Sequence, residues 1–234
     1  MTHTPDPPTI VVRELDVMAT ATWNYRGDTP TWRPTDYSAA ATFDPFPAYP
    51  HQFDEAQAAA EHVTRCRPPL WTVDLFVADR EETGRTNGFS DVAENSHYEG
   101  DEWVQGTPSG LIVLSGKRTP PHPAVTRYLV AHEYGHNIEW MVNRARGAKS
   151  LHDGGLTEEY ARMRGLPSVH HGTGGRWHDS VHEVFACDFR ILVCGVELDH
   201  WPHPGVPRPE TVSGVADWWA GALGDLDSYG EQVA

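Results

Sequence analysis

One short run inside an apolar helix constrains this chain more than anything else in it. Between Ala124 and Asn143, the residues Val125, Tyr128, Leu129, His132, His136 and Trp140 recur at helical spacing, with Ile138 and Met141 beside them. That periodicity predicts a helix with this stripe turned towards the core. Positions i and i+4 stand one above the other on a helix face, so His132 and His136 can point two imidazoles at one metal ion. Glu133 lies one step round, beside it. The run His132-Glu133-Tyr134-Gly135-His136 thus has the H-E-x-x-H form, two zinc ligands and a general base for hydrolysis. Without a metal, a buried cluster of two histidines and a glutamate would need other polar partners.

A catalytic zinc keeps three protein ligands and one open position for water. One solution places Gly three residues after the second His and His or Asp three further on. Here those positions are Glu139 and Val142, so that solution fails. The other takes a Glu from a later helix, and Glu183 is the candidate. It opens the run Glu183-Val184-Phe185-Ala186-Cys187-Asp188-Phe189-Arg190, in which Val184, Cys187 and Ile191 form an apolar stripe. A carboxylate on such a helix is costly to bury unless it meets a cation. Glu183 and Ala186 share a face, and the small Ala lets this helix approach the first closely. His178 and His182 compete for the ligand role, with Asp179 and Asp188 behind them, and an arginine is the other cation Glu183 could meet.

The pairing of these two runs resembles the catalytic domain of anthrax lethal factor and related gluzincin-type metallopeptidases. The resemblance covers the two motifs and the strand before the first, about a third of the chain. It implies that His132, His136 and Glu183 hold Zn2+ and that Glu133 activates water. It also implies an α+β, zincin-like fold, a small mixed sheet with an edge strand over the cleft, packed on the H-E-x-x-H helix and the Glu-ligand helix. By that analogy the strand Gly110–Gly116 is the edge and binds substrate backbone by strand addition; its apolar centre fits an inner strand equally well. Two positions depart from the pattern. Where the family has a Tyr seven residues before the ligand Glu, this chain has Arg176, leaving oxyanion stabilisation to Arg176, His178 or a loop histidine among His152, His170 and His171. Where the family has an acidic residue four after the ligand Glu, this chain has Cys187.

The remaining sequence bounds the partners. The chain has 234 residues and a formal net charge of -15. That surface repels phosphate, which argues against nucleic acid and weakly favours basic substrates. An odd, low number of cysteines, Cys66, Cys187 and Cys194, argues against a disulfide framework, and Cys187 and Cys194, seven apart, read as small buried apolar residues. No apolar run is long enough to span a membrane, and residues 1–8 are polar and Pro-rich rather than signal-like. A cytoplasmic protein is the expectation, with export lacking a cleavable signal left open.

Strands are expected at Ile10–Val17, Leu70–Val77, Gly88–Val92, Trp103–Val104 and Gly110–Gly116, with Met18–Tyr25 continuing the first or pairing back. Helices are expected at Phe53–Cys66, Ala124–Asn143, Thr157–Arg164 with Thr157 as its cap, Asp179–Val193 and Val212–Leu223. Residues 1–52 read as an arm wrapping the core, since Trp32, Tyr37, Phe43, Phe46 and Tyr49 need burial. Residues 148–175 read as a mobile loop, and 1–234 as a single domain. The functional expectation is a zinc metalloendopeptidase acting on a protein or peptide substrate. The alternative is a weak or inactive zincin-fold protein serving as a zinc-stabilised binding module.

Overall fold

The structure is a computed structural model that describes residues 9–13, 21–22, 33–34, 50–78, 88–93, 97–100, 102–104, 106, 108–115, 123–148, 155–166, 180–197 and 200–233. It is a mixed α and β protein, dividing into two compact units, Met1–Thr126 and Arg127–Ala234. The aromatic residues expected to anchor an N-terminal arm, and His152, His170, His171, Arg176, His178 and Asp179, lie outside the described residues.

The first unit holds a four-stranded mixed sheet. Its members are β1 (Ile10–Arg13), β4 (Val73–Ala78), β5 (Gly88–Ala93) and β8 (Ser109–Ser115), in the order β1-β4-β8-β5. β1, β4 and β8 run parallel, and β5 closes one side antiparallel to β8. Two short antiparallel pairs accompany it, β2 (Ala21–Thr22) with β3 (Arg33–Pro34) and β6 (His97–Glu99) with β7 (Glu102–Val104). Helix α1 (Pro50–Cys66) packs on β1 and β4 through the side of the helix carrying the buried Ala56, Ala59, Ala60 and Val63.

This topology corrects the expectation that the strand after Ser109 is the sheet edge. Register pairs Leu75 with Ile112 on one side and Ser90 with Ile112 on the other. β8 is therefore an inner strand with its backbone groups committed on both sides, and strand addition cannot use it. Leu111, Ile112, Val113 and Leu114 are all buried, the continuous apolar run of a strand covered on both faces.

The second unit contains most of α2 (Pro123–Ala145), then α3 (Gly155–Met163), α4 (Val181–Leu192), a 3-10 turn (Pro209–Thr211) and α5 (Val215–Val233). α2 starts on a proline, whose missing N–H costs nothing at a helix's first position. From Leu129 to Arg144 it is buried nearly all round, with only His136 and Trp140 half-buried. The expected single buried stripe is thus too narrow. α3 begins before Thr157, which falls inside the helix rather than capping it. α5 runs well past the expected end at Leu223, because Val215, Trp219, Ala222 and Leu226 continue one buried stripe through Gly221 and Gly224. Among the described residues, no helix is long and apolar enough to cross a membrane.

α4 is the hub of this unit. Asp188, fully buried, takes Arg164 Nε at 2.7 Å and the hydroxyl of Tyr160, which in turn accepts a hydrogen bond from Trp219 Nε1 at 3.1 Å. Arg164 also donates to the Pro207 carbonyl at 2.6 Å. These contacts offset only part of the cost of burying the pair, since Arg164 Nη1 is buried without a hydrogen-bond partner among the described residues. Phe185 and Phe189 pack in an aromatic cluster with Tyr160 and Trp219, and Phe189 reaches Tyr134 of α2 at 5.7 Å between ring centroids. Arg190 donates to the Val196 carbonyl at 2.6 Å, where Gly195, at φ 62°, turns the chain out of the helix.

α2 and α4 approach each other closely at Gly135. A Cβ placed on Gly135 would lie 2.7 Å from Ala186 Cα and 2.9 Å from its carbonyl oxygen. Both atoms are backbone and cannot rotate away. Gly135→Ala is therefore expected to destabilise the fold by about 1–3 kcal/mol through overpacking, a loss that outweighs the helix propensity Ala brings. Chemical denaturation of parent and variant checks this; an unchanged or raised midpoint would show that the helices are not in this contact.

Candidate metal centre

The i, i+4 spacing on α2 puts the two imidazoles together as expected. Their ring centroids are 5.0 Å apart and nearly perpendicular, at 84°. α4 brings Glu183 to both. Glu183 Oε2 lies 2.9 Å from His132 Nε2 and 3.7 Å from His136 Nε2. One ligand atom from each of the three falls within 4.8 Å of the others, a group that could hold a metal ion. Atoms bound tetrahedrally at about 2.0–2.2 Å from one ion stand about 3.3–3.6 Å apart, and the two observed distances bracket that separation. The side chains of His136 and Glu183 keep 12% and 21% of their surface exposed, which leaves an open side to the triad. Two imidazole nitrogens and a carboxylate oxygen suit a divalent first-row ion.

Glu133 is buried on α2 next to His132, and its charge acts on that imidazole. The rival ligands are accounted for where they are described. His182 turns to Glu139, with Nδ1 2.8 Å from Oε1; burial opposes its protonation, but the Glu139 carboxylate raises its pKa. Asp188 points into the Arg164 and Tyr160 network. No arginine is needed to explain Glu183, because its carboxylate faces the two histidines.

Behind the triad lies a second layer of polar groups. Cys187 Sγ is 3.4 Å from His132 Nδ1, the ring nitrogen turned away from Glu183. Tyr128 stacks parallel to the His132 ring at 6.2 Å and has Arg190 4.1 Å above its own ring. His203, fully buried in the Pro-rich segment beyond α4, acts on the Cys187 thiol and pulls its pKa down. Sequence reasoning missed His203 altogether. The signal for it is thin, one histidine in Trp201-Pro202-His203-Pro204 with no periodicity to place it.

The electrostatics follow from these contacts. Burial opposes charge on His132, yet hydrogen bonds to Cys187 and Glu183 raise its pKa to about 10. Burial also opposes ionisation of Glu183, but the two histidines hold its carboxyl far below the usual range. For Cys187, burial pushes the thiol up while His132 and His203 pull it down, and the net direction is down. In the metal-free chain the raised His132 stabilises the fold fully below its unfolded pKa of about 6.5, and that contribution fades as pH rises through about 10. The depressed Glu183 contributes above the ordinary carboxylate range and is lost as pH falls through its folded value.

Comparison of the chain with protein-family models, with curated proteins and with solved structures gives no match.

Metal ligation requires a neutral imidazole, so a metal must displace the His132 proton. Titration calorimetry at pH 7.5 in two buffers of different protonation enthalpy is expected to show about one proton released by this residue. Affinity is expected to rise about tenfold per pH unit between pH 6 and 8. An affinity independent of pH across that range would contradict the charge state assigned to His132.

Proposed function

We propose that this chain is a zinc-dependent metallopeptidase of zincin-like fold, hydrolysing peptide bonds in a protein or peptide substrate. The observation that carries the reading is the convergence of His132, His136 and Glu183 on one point, with Glu133 buried beside it. Among the described residues the ligand set is two histidines and one glutamate, the set of a catalytic rather than a structural zinc, with fewer protein ligands than a closed site requires. When bound, zinc supplies Lewis-acid chemistry, polarising a substrate carbonyl and bringing the pKa of water towards about 7.

The chain's own residues supply the rest. Glu133 is a carboxylate with a partly desolvated position next to the triad, suited to accept a proton from the attacking water and to pass it to the leaving amine. The products are then a carboxylate and an amine, with water consumed. Glu183 and the histidines are held by α4 and α2, which pack backbone against backbone at Gly135 and Ala186, and this limits where the reacting carbonyl can sit. Substrate alignment does not use β8, whose two sides are already paired.

Glu133→Gln keeps size and removes the base. With a peptide library digested by zinc-loaded protein and read by mass spectrometry, the variant is expected to lose about 100-fold or more in cleavage rate while retaining zinc. Cleavage at the parent rate would remove Glu133 from the mechanism. A zinc-loaded parent that cleaves no peptide would favour the zinc-stabilised binding module instead.

A further inference from the structure

We propose that Cys187 is the positioning residue for the metal ligand His132, accepting a hydrogen bond from Nδ1 through its sulfur. The inference rests on the metal-centre reading and deepens it. Three observations carry it. His132 presents Nε2 to Glu183 and Nδ1 to Cys187, at 2.9 Å and 3.4 Å, so its two nitrogens have different partners on the same helix. Cys187 is fully buried and stands one helical turn after Glu183. α4 therefore delivers a ligand to one side of the metal centre and an orienting acceptor to the back of His132. Tyr128, one turn before His132 on α2, stacks parallel to the same imidazole at 6.2 Å, so the ring is also held from its own helix.

The physical need is plain. A ligating imidazole coordinates through one nitrogen only if the other carries the proton, and a hydrogen bond to that proton fixes tautomer and ring orientation. Oxygen acceptors are the common solution. Here a thiol sulfur, longer in reach and softer, occupies the position. Arg190 lies over the Tyr128 ring at 4.1 Å, so the arrangement is held from α2 and from α4.

The test compares zinc affinity, by competition with a chromogenic chelator, for the parent, Cys187→Ala and Cys187→Asp. Loss of the acceptor is expected to weaken zinc binding about 10- to 100-fold, and the carboxylate of Cys187→Asp is expected to restore most of it. A merely structural role for the thiol would give no rescue by the charged residue. Long-range 1H–15N correlation spectra of the zinc-loaded parent test the same claim without any variant: His132 is expected to carry its proton on Nδ1 and the metal on Nε2. Equal zinc affinity for parent and Cys187→Ala, or the reverse tautomer, would overturn this proposal and leave the metal centre standing. A parent that binds no zinc would overturn the metal-centre reading and this proposal with it.

Discussion

The contact between Gly135 and Ala186 is the constraint on which the rest of the second unit depends. Two helix backbones meet there with no room for a methyl group on the glycine. Gly135 immediately precedes His136, and Ala186 lies one turn after Glu183. The separation of the helices at this point therefore sets the separation of the carboxylate from both imidazoles. Widened by the radius of a methyl, α4 would carry Glu183 out of hydrogen-bonding distance. The close approach and the triad are one feature seen at two positions.

α4 reconciles several demands in a single short helix. Glu183 faces the histidines, Ala186 the glycine of α2, Cys187 the back of His132, Asp188 the Arg164 and Tyr160 network, and Arg190 the ring of Tyr128. Every one of these is polar or small where an ordinary core helix would be large and apolar. The apolar work falls to Val184, Phe185 and Phe189, all buried. Glu183, Asp188 and Arg190 each meet a partner on another segment, and a supported helix is what a ligand carboxylate needs.

Much of this was legible in the amino-acid sequence, and the limits are physical. The two histidines were readable because i and i+4 meet on any helix, whatever surrounds it. Glu183 was readable because a carboxylate among Val184, Phe185 and Ile191 demands a cation. His203 was not, since a proline-flanked residue has no period from which its direction follows. Cys187 fits the reading of a small buried residue and equally that of a hydrogen-bonding one, and only its distance to His132 separates them. Glycines and an apolar centre suit both an edge and an inner strand, so the residues left β8 open between the two and only the analogy put it at the edge; the unbroken run Leu111–Leu114, against the alternation of a half-exposed edge, is the signal for an inner strand. The length of α5 was hidden by Gly221 and Gly224, whose low helix propensity is overridden by the stripe from Val215 to Leu226.

The central claim is that His132, His136 and Glu183 together hold one metal ion. Elemental analysis of purified parent and Glu183→Ala, side by side after zinc loading and desalting, tests it most directly. The account requires one zinc per parent chain and marked loss in the variant. Full zinc in Glu183→Ala would remove Glu183 from the site, and no zinc in the parent would contradict the metal centre itself.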